Sequence, residues 1–170
     1  MKHAYLIIIL FLGFSFYQSA SQNIKLTFET ICNDRYGFCV DYPKKILYPQ
    51  PLSGNGDGRY FSNKKGDHIL TTYGRRNYTG GEKISLGEQY EEDLRSEELV
   101  DEIIGTEKKV ITYSKLGNSF FVISGFYRGH IFYEKVVLRV EGFAYAILVY
   151  DENEKKIYNQ VVDRIFKNFK

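Results

Sequence analysis

Apolar and polar residues alternate over Ile24 to Glu29, with Ile24, Leu26 and Phe28 on one side and Lys25, Thr27 and Glu29 on the other. That is the period of a half-buried strand. It returns in Tyr36, Phe38, Val40 and Tyr42, up to Pro43. Asn33-Asp34-Arg35 between the two runs is turn chemistry, so the spacing predicts an opening hairpin. The following PKKILYPQP carries three prolines in nine residues and cannot pair within a central strand. A glycine-rich stretch, SGNGDGRYF (residues 53–61), comes next, followed by short strands expected over Arg59–Ser62 and His68–Gly74.

The pattern then changes period. Ser85-Leu86-Gly87-Glu88 is a capping box, in which serine and glutamate satisfy each other's free backbone amides at a helix start. Behind it Leu86, Tyr90 and Leu94 recur one turn apart and give that helix an apolar face. From Glu107 strand follows strand, expected over Lys109–Lys115, Ser119–Tyr127, His130–Val140 and Phe143–Tyr150. The breaks are Leu116-Gly117-Asn118, Arg128-Gly129 and Glu141-Gly142, all short hairpin turns. FFVISGFY is apolar on both faces, which predicts a central strand covered on both sides. Phe132, Val136, Leu138 and Val140 share one face of the next strand. Ala144 and Ala146 share a face of the last, leaving room for a bulky neighbour. The expected occupant is a closing helix behind Asp151-Glu152-Asn153-Glu154, whose stripe is Ile157, Val161, Ile165 and Phe169. The class is α+β, with one twisted antiparallel sheet of about six strands flanked by two helices.

The ends narrow the picture. Residues 1–21 read as a secretory signal: a short basic start, an uncharged apolar run from Ala4 to Tyr17, and small residues before a cut after Ser21. No cysteine follows the apolar run, as a lipid anchor would need. The expectation is a secreted or periplasmic monomer, residues 22–170, forming one domain with no membrane span after signal removal. The formal charge of +2 falls to +1 when Lys2 leaves with the signal, so no global field favours nucleic acid. Aromatic residues make up 16% of the chain, as 15 Tyr and 13 Phe without Trp, a composition suited to sheet. Cys32 and Cys39, an even pair at short spacing in an exported chain, read as a disulfide stapling the hairpin. Zinc would need two more ligands, and only His68 and His130 remain beyond the signal. No metal or cofactor is expected.

RYGFCVDYP (Arg35–Pro43) resembles the opening strand of PsbP-like proteins, which share their fold with a nuclear-import factor that binds the small GTPase Ran. VVDRIFKNFK is similar to the closing helix of that superfamily, with Asn168 where a serine is usual. NGDGRYFSNKKGDHILTTYGRRN and FFVISGFYRGHIFYEKVVL resemble segments of small exported bacterial proteins of unassigned function, with Phe120 in place of a tryptophan. The resemblance implies a twisted antiparallel sheet between helices and carries no catalytic residue across. Cys39 stands where the family commonly has serine, a departure that a paired Cys32 makes coherent.

Candidate chemistry is sparse. SGNGDGRYF fails the EF-hand frame, since Arg59 and Tyr60 fall where an acidic residue and a glycine are required. It lacks the lysine and following helix of a phosphate loop. A structural turn is the favoured reading, with Asn55, Asp57 and Arg59 as candidate functional-loop residues. Glu88 to Glu102 holds eight acidic residues against one arginine. That is a solvated helix face or, more sharply, a docking surface at Glu91, Glu92 and Asp93 for a basic partner. Asn77-Tyr78-Thr79 is a glycosylation sequon, relevant in a eukaryotic source. The function expected is an exported non-catalytic binding or accessory module engaging a protein or small ligand. The alternative is a small hydrolase or metal-dependent assembly factor with a shallow site near Asp57, His68 and His130.

Overall fold

The computed structural model describes residues 26–96, 109–127 and 129–170. The expected signal segment, and Ile24 and Lys25 of the expected first strand, lie outside the described residues. The chain opens with a hairpin, β1 (Phe28–Asn33) and β2 (Phe38–Pro43), which forms a two-stranded sheet of its own. Cys32 and Cys39 face each other across it and are joined.

The main sheet has seven antiparallel strands. They are β3 (Tyr48–Leu52), β4 (Gly58–Ser62), β5 (His68–Arg75), β8 (Val110–Leu116), β9 (Phe120–Tyr127), β10 (His130–Arg139) and β11 (Gly142–Asp151). A small hairpin of β6 (Tyr78–Thr79) and β7 (Glu82–Lys83) precedes helix α1 (Leu86–Arg95), and α2 (Lys155–Asn168) closes the chain. The order across the main sheet is β3-β4-β5-β11-β10-β9-β8.

The proline-rich stretch, expected to stay out of a central strand, supplies an edge strand, β3. It is tolerated because it lies at the sheet edge and its register breaks between Pro49 and Leu52. FFVISGFY, expected at the centre, is β9, one strand in from the opposite edge; the centre is β11. Only alternate residues of β9 are deeply buried, among them Phe121 and Ile123, while Phe126 is exposed. Likewise Phe132 and Val136 are buried, but Leu138 and Val140 stand exposed at the end of β10.

Each face of the sheet has its own core. On one face α2 presses Val161, Val162, Ile165 and Phe169 onto β11, joined by Phe38, Val40 and Tyr42 of the hairpin. Ala144 and Ala146 are fully buried there and make the room expected of them. Gly74, paired with Ala144, extends this row of small residues. A Cβ at Gly74 would lie 1.9 Å from the Tyr36 ring. Lys135 Nζ donates to the Phe166 and Phe169 carbonyls at 2.7 and 2.9 Å, satisfying the C-terminal end of α2. Asn168 and Arg164 hold Asp41 of the hairpin at 2.8 and 3.5 Å.

On the other face lies α1. Its capping box is formed: the Ser85 hydroxyl accepts from the Glu88 amide and the Glu88 carboxylate from the Ser85 amide. Leu86, Tyr90 and Leu94 pack on Phe121, Ile123, Phe132 and Tyr145. This helix meets β8 and β9. Among the described residues, no helix covers the opposite half of the face, over β4 and β5.

Candidate functional site

The glycine-rich loop is a closed brace. The Ser53 amide donates to the Gly58 carbonyl and the Gly56 amide to the Ser53 carbonyl, both at 2.8 Å. The Asn55 side chain bonds the Ser53 hydroxyl and the Asp57 carboxylate, each at 2.7 Å. Gly56 holds φ at +73°, a value L side chains resist. The hairpin turn buttresses the loop from outside. Asn33 Nδ2 donates to the Gly56 and Asp57 carbonyls, and Arg35 pairs with Asp57 at 2.5 Å. Asn55 and Asp57 are thus largely occupied with local bonds. The role of Arg35 was missed in the sequence because the partner lies 22 residues away.

Beside this loop an open groove of about 660 Å³ lies along β4 and β5. Tyr60 pairs with Thr71 and Gly58 with Tyr73, so Tyr60, Thr71, Tyr73 and Arg75 share the face turned away from α2. A Cβ on Gly58 would lie 2.4 Å from that of Tyr73. Its absence makes room for the Tyr73 side chain, which stacks on Tyr145. Among the described residues, Arg35, Arg59, Arg75 and Arg76 line the groove against a single acid, Asp57. Tyr78 of the small hairpin forms part of the rim. The candidate Arg59 also donates to the Gln50 carbonyl at 3.4 Å, tying it to the edge strand.

Across β5 the character inverts. Asp93, expected on a docking surface, is buried, because α1 carries Leu86, Gln89, Tyr90, Asp93 and Leu94 on its inner stripe. Glu91 and Glu92 are exposed as expected. Gln89 links the two halves: it accepts from Arg75 Nη2 and donates to Asp93 Oδ1, both at 2.8 Å. Lys109 Nζ donates to the Asp93 carbonyl. Beneath Asp93 is Glu134 of β10, 3% exposed.

Burial pushes the Glu134 carboxyl up to about 8, with the charge of Asp93 adding to the rise. Burial raises Asp93 to about 6, opposed by its bond from Gln89 and by Lys109 and Arg75. The two carboxyls share one buried site, so burial and mutual repulsion hold a proton on the pair, with Glu134 the more strongly raised. Tyr73 and Tyr145 stack at 4.6 Å beside them, and burial raises both phenols. Glu134 Oε1, Asp93 Oδ2 and the two phenol oxygens find no hydrogen-bond partner among the described residues. Glu134 was legible as an inward acid, since it falls between Phe132 and Val136 on one face of its strand.

The sheet does not gather Asp57, His68 and His130. Gly58 is opposite Tyr73 and Ser62 opposite His68, so Asp57 and His68 flank β5 at opposite ends, ~17 Å apart by strand rise. His68 stacks on Tyr60 at 4.8 Å. His130 shares the His68 end of the sheet, opposite Asp151 and two strands away. Asn77 is buried with its amide donating to the Ile84 carbonyl at 3.3 Å, an orientation closed to glycosylation. Among the described residues no three His, Cys, Asp or Glu side chains are grouped to hold a metal ion. None of their helices is long and apolar enough to cross a membrane.

No protein-family model and no curated protein matches the chain. Among solved structures it is similar to cyanobacterial PsbP from Synechocystis sp. PCC 6803, with TM-score 0.57 and 8% identity, covering 91% of this chain and 98% of that one. The fold is PsbP-like, as the opening strand and closing helix imply.

Proposed function

We propose that the protein is an exported, non-catalytic accessory module that engages a protein partner through the groove over β4 and β5. The observation that carries this reading is the asymmetry of one sheet face. Half of it is roofed by α1, and the other half is an open groove lined by four arginines, with tyrosines on its floor and rim. Arginine and tyrosine are the residue types that concentrate binding energy at protein interfaces. The Cys32–Cys39 bridge supports an oxidising compartment. The exposed acids Glu91 and Glu92 of α1 are a second candidate surface, reduced from the expected trio by the burial of Asp93.

A photo-crosslinking amino acid placed at Tyr78 on the groove rim tests the reading against the same group at Ile157, an exposed site on α2. The expected result is a discrete protein adduct from the Tyr78 position, formed in the extracytoplasmic fraction of the source cells. Adducts from Ile157 alone would contradict it.

A further inference from the structure

We infer that the groove accepts an extended, carboxylate-rich segment of the partner protein. The inference rests on the groove being the binding surface and adds the chemistry of what enters it. Among the described residues four arginines line the groove against one aspartate, and that aspartate is already neutralised by Arg35. The field left over on this face, among the described residues, is that of Arg75 and Arg76, since Arg59 pairs with Thr72 on the other face and donates to Gln50. Arg76 is exposed and bonds no described residue. Arg75 uses one nitrogen on Gln89, which leaves part of its planar donor fork for a carboxylate.

The shape selects a chain over a small anion. From Thr71 to Arg75 the strand advances ~14 Å, the length of about four or five extended residues. Tyr78, 57% exposed, offers a ring face along that path. A nucleic acid would call for a basic field well beyond the groove, whereas the formal charge of the whole chain is +2. An acidic peptide needs only the local one.

The test is fluorescence anisotropy of the purified protein with a labelled ten-residue poly-glutamate peptide. A glycine-serine peptide of equal length and a single-stranded DNA oligonucleotide of equal charge serve as comparisons. Poly-glutamate is expected to bind best of the three. Arg76→Gln should weaken it by about tenfold, and Arg75→Gln with Arg76→Gln further. Lys156→Gln, on the exposed side of α2, should leave it unchanged. Poly-glutamate binding no better than glycine-serine, or less well than the oligonucleotide, would overturn the inference. So would equal weakening by Arg76→Gln and Lys156→Gln, the sign of diffuse surface charge. If poly-glutamate fails while partner adducts still form at Tyr78, the ligand class falls and the groove stands. If both fail, the groove reading falls too.

Discussion

The two faces of the main sheet solve the same problem differently. The face under α2 is closed by apolar side chains, and a row of small residues, Gly74, Ala144 and Ala146, lets Tyr36 and the helix approach the backbone. The face under α1 is closed over half its width, and polar atoms enter even that half. Asp93 and Glu134 are buried there with oxygens that find no partner among the described residues. Burying a charge without full compensation costs stability, so this half is not built for stability alone. Arg75 sits at the boundary, reaching Gln89 on one side and lining the groove on the other. The contrast separates a face that holds the fold together from a face that keeps charges available.

Breaking the closed face should have the largest effect. Gly74→Val places a branched side chain where even a Cβ would meet the Tyr36 ring at 1.9 Å. Overpacking of this kind typically costs about 1–3 kcal/mol; with no space at all the loss should reach or exceed the top of that range in urea denaturation. Replacing Cys32 and Cys39 together by serine should cost about 2 kcal/mol, since the short loop loses its constraint in the unfolded chain. The hairpin carries Phe38, Val40 and Tyr42 into the α2 core, so the loss should appear as a lower melting temperature of the whole domain.

The α1 face should reveal itself through pH. Glu134 is raised from 4.5 to about 8 in the fold, so the native state holds a proton that the unfolded chain releases. Its stabilising contribution is complete below about 4.5 and is lost as pH rises through about 8. Glu134→Gln should flatten the decline in urea midpoint across that window and make the protein more stable than wild type at about pH 9. Parallel profiles for the two proteins would show that Glu134 is not the group responsible. The smallest stability effect belongs to the open half. Arg76→Gln should change unfolding free energy by no more than about 0.5 kcal/mol, while reducing poly-glutamate binding.

Much of the framework was legible in the sequence. Alternation placed the hairpin and most strands, Ser85 and Glu88 marked the start of α1, and Ala144 and Ala146 announced the helix that covers them. What escaped were properties set by neighbours rather than by period. Strand order across the sheet depends on long-range pairing, so FFVISGFY could be recognised as a strand but not placed. Asp93 belonged to an acidic run that reads as solvated, yet the helical spacing from Leu86 and Tyr90 turns it inward. The groove draws arginines from the hairpin turn, β4, and the end of β5 with the residue after it. No local pattern joins those positions.

The central claim, that the open half of the α1 face is the binding face, is tested most directly by amide chemical-shift mapping during titration with poly-glutamate. The largest shifts are expected at Arg59, Tyr60 and residues 71–76, with α2 silent. Shifts concentrated on α2 or on the outer face of α1, with β5 unmoved, would contradict the claim.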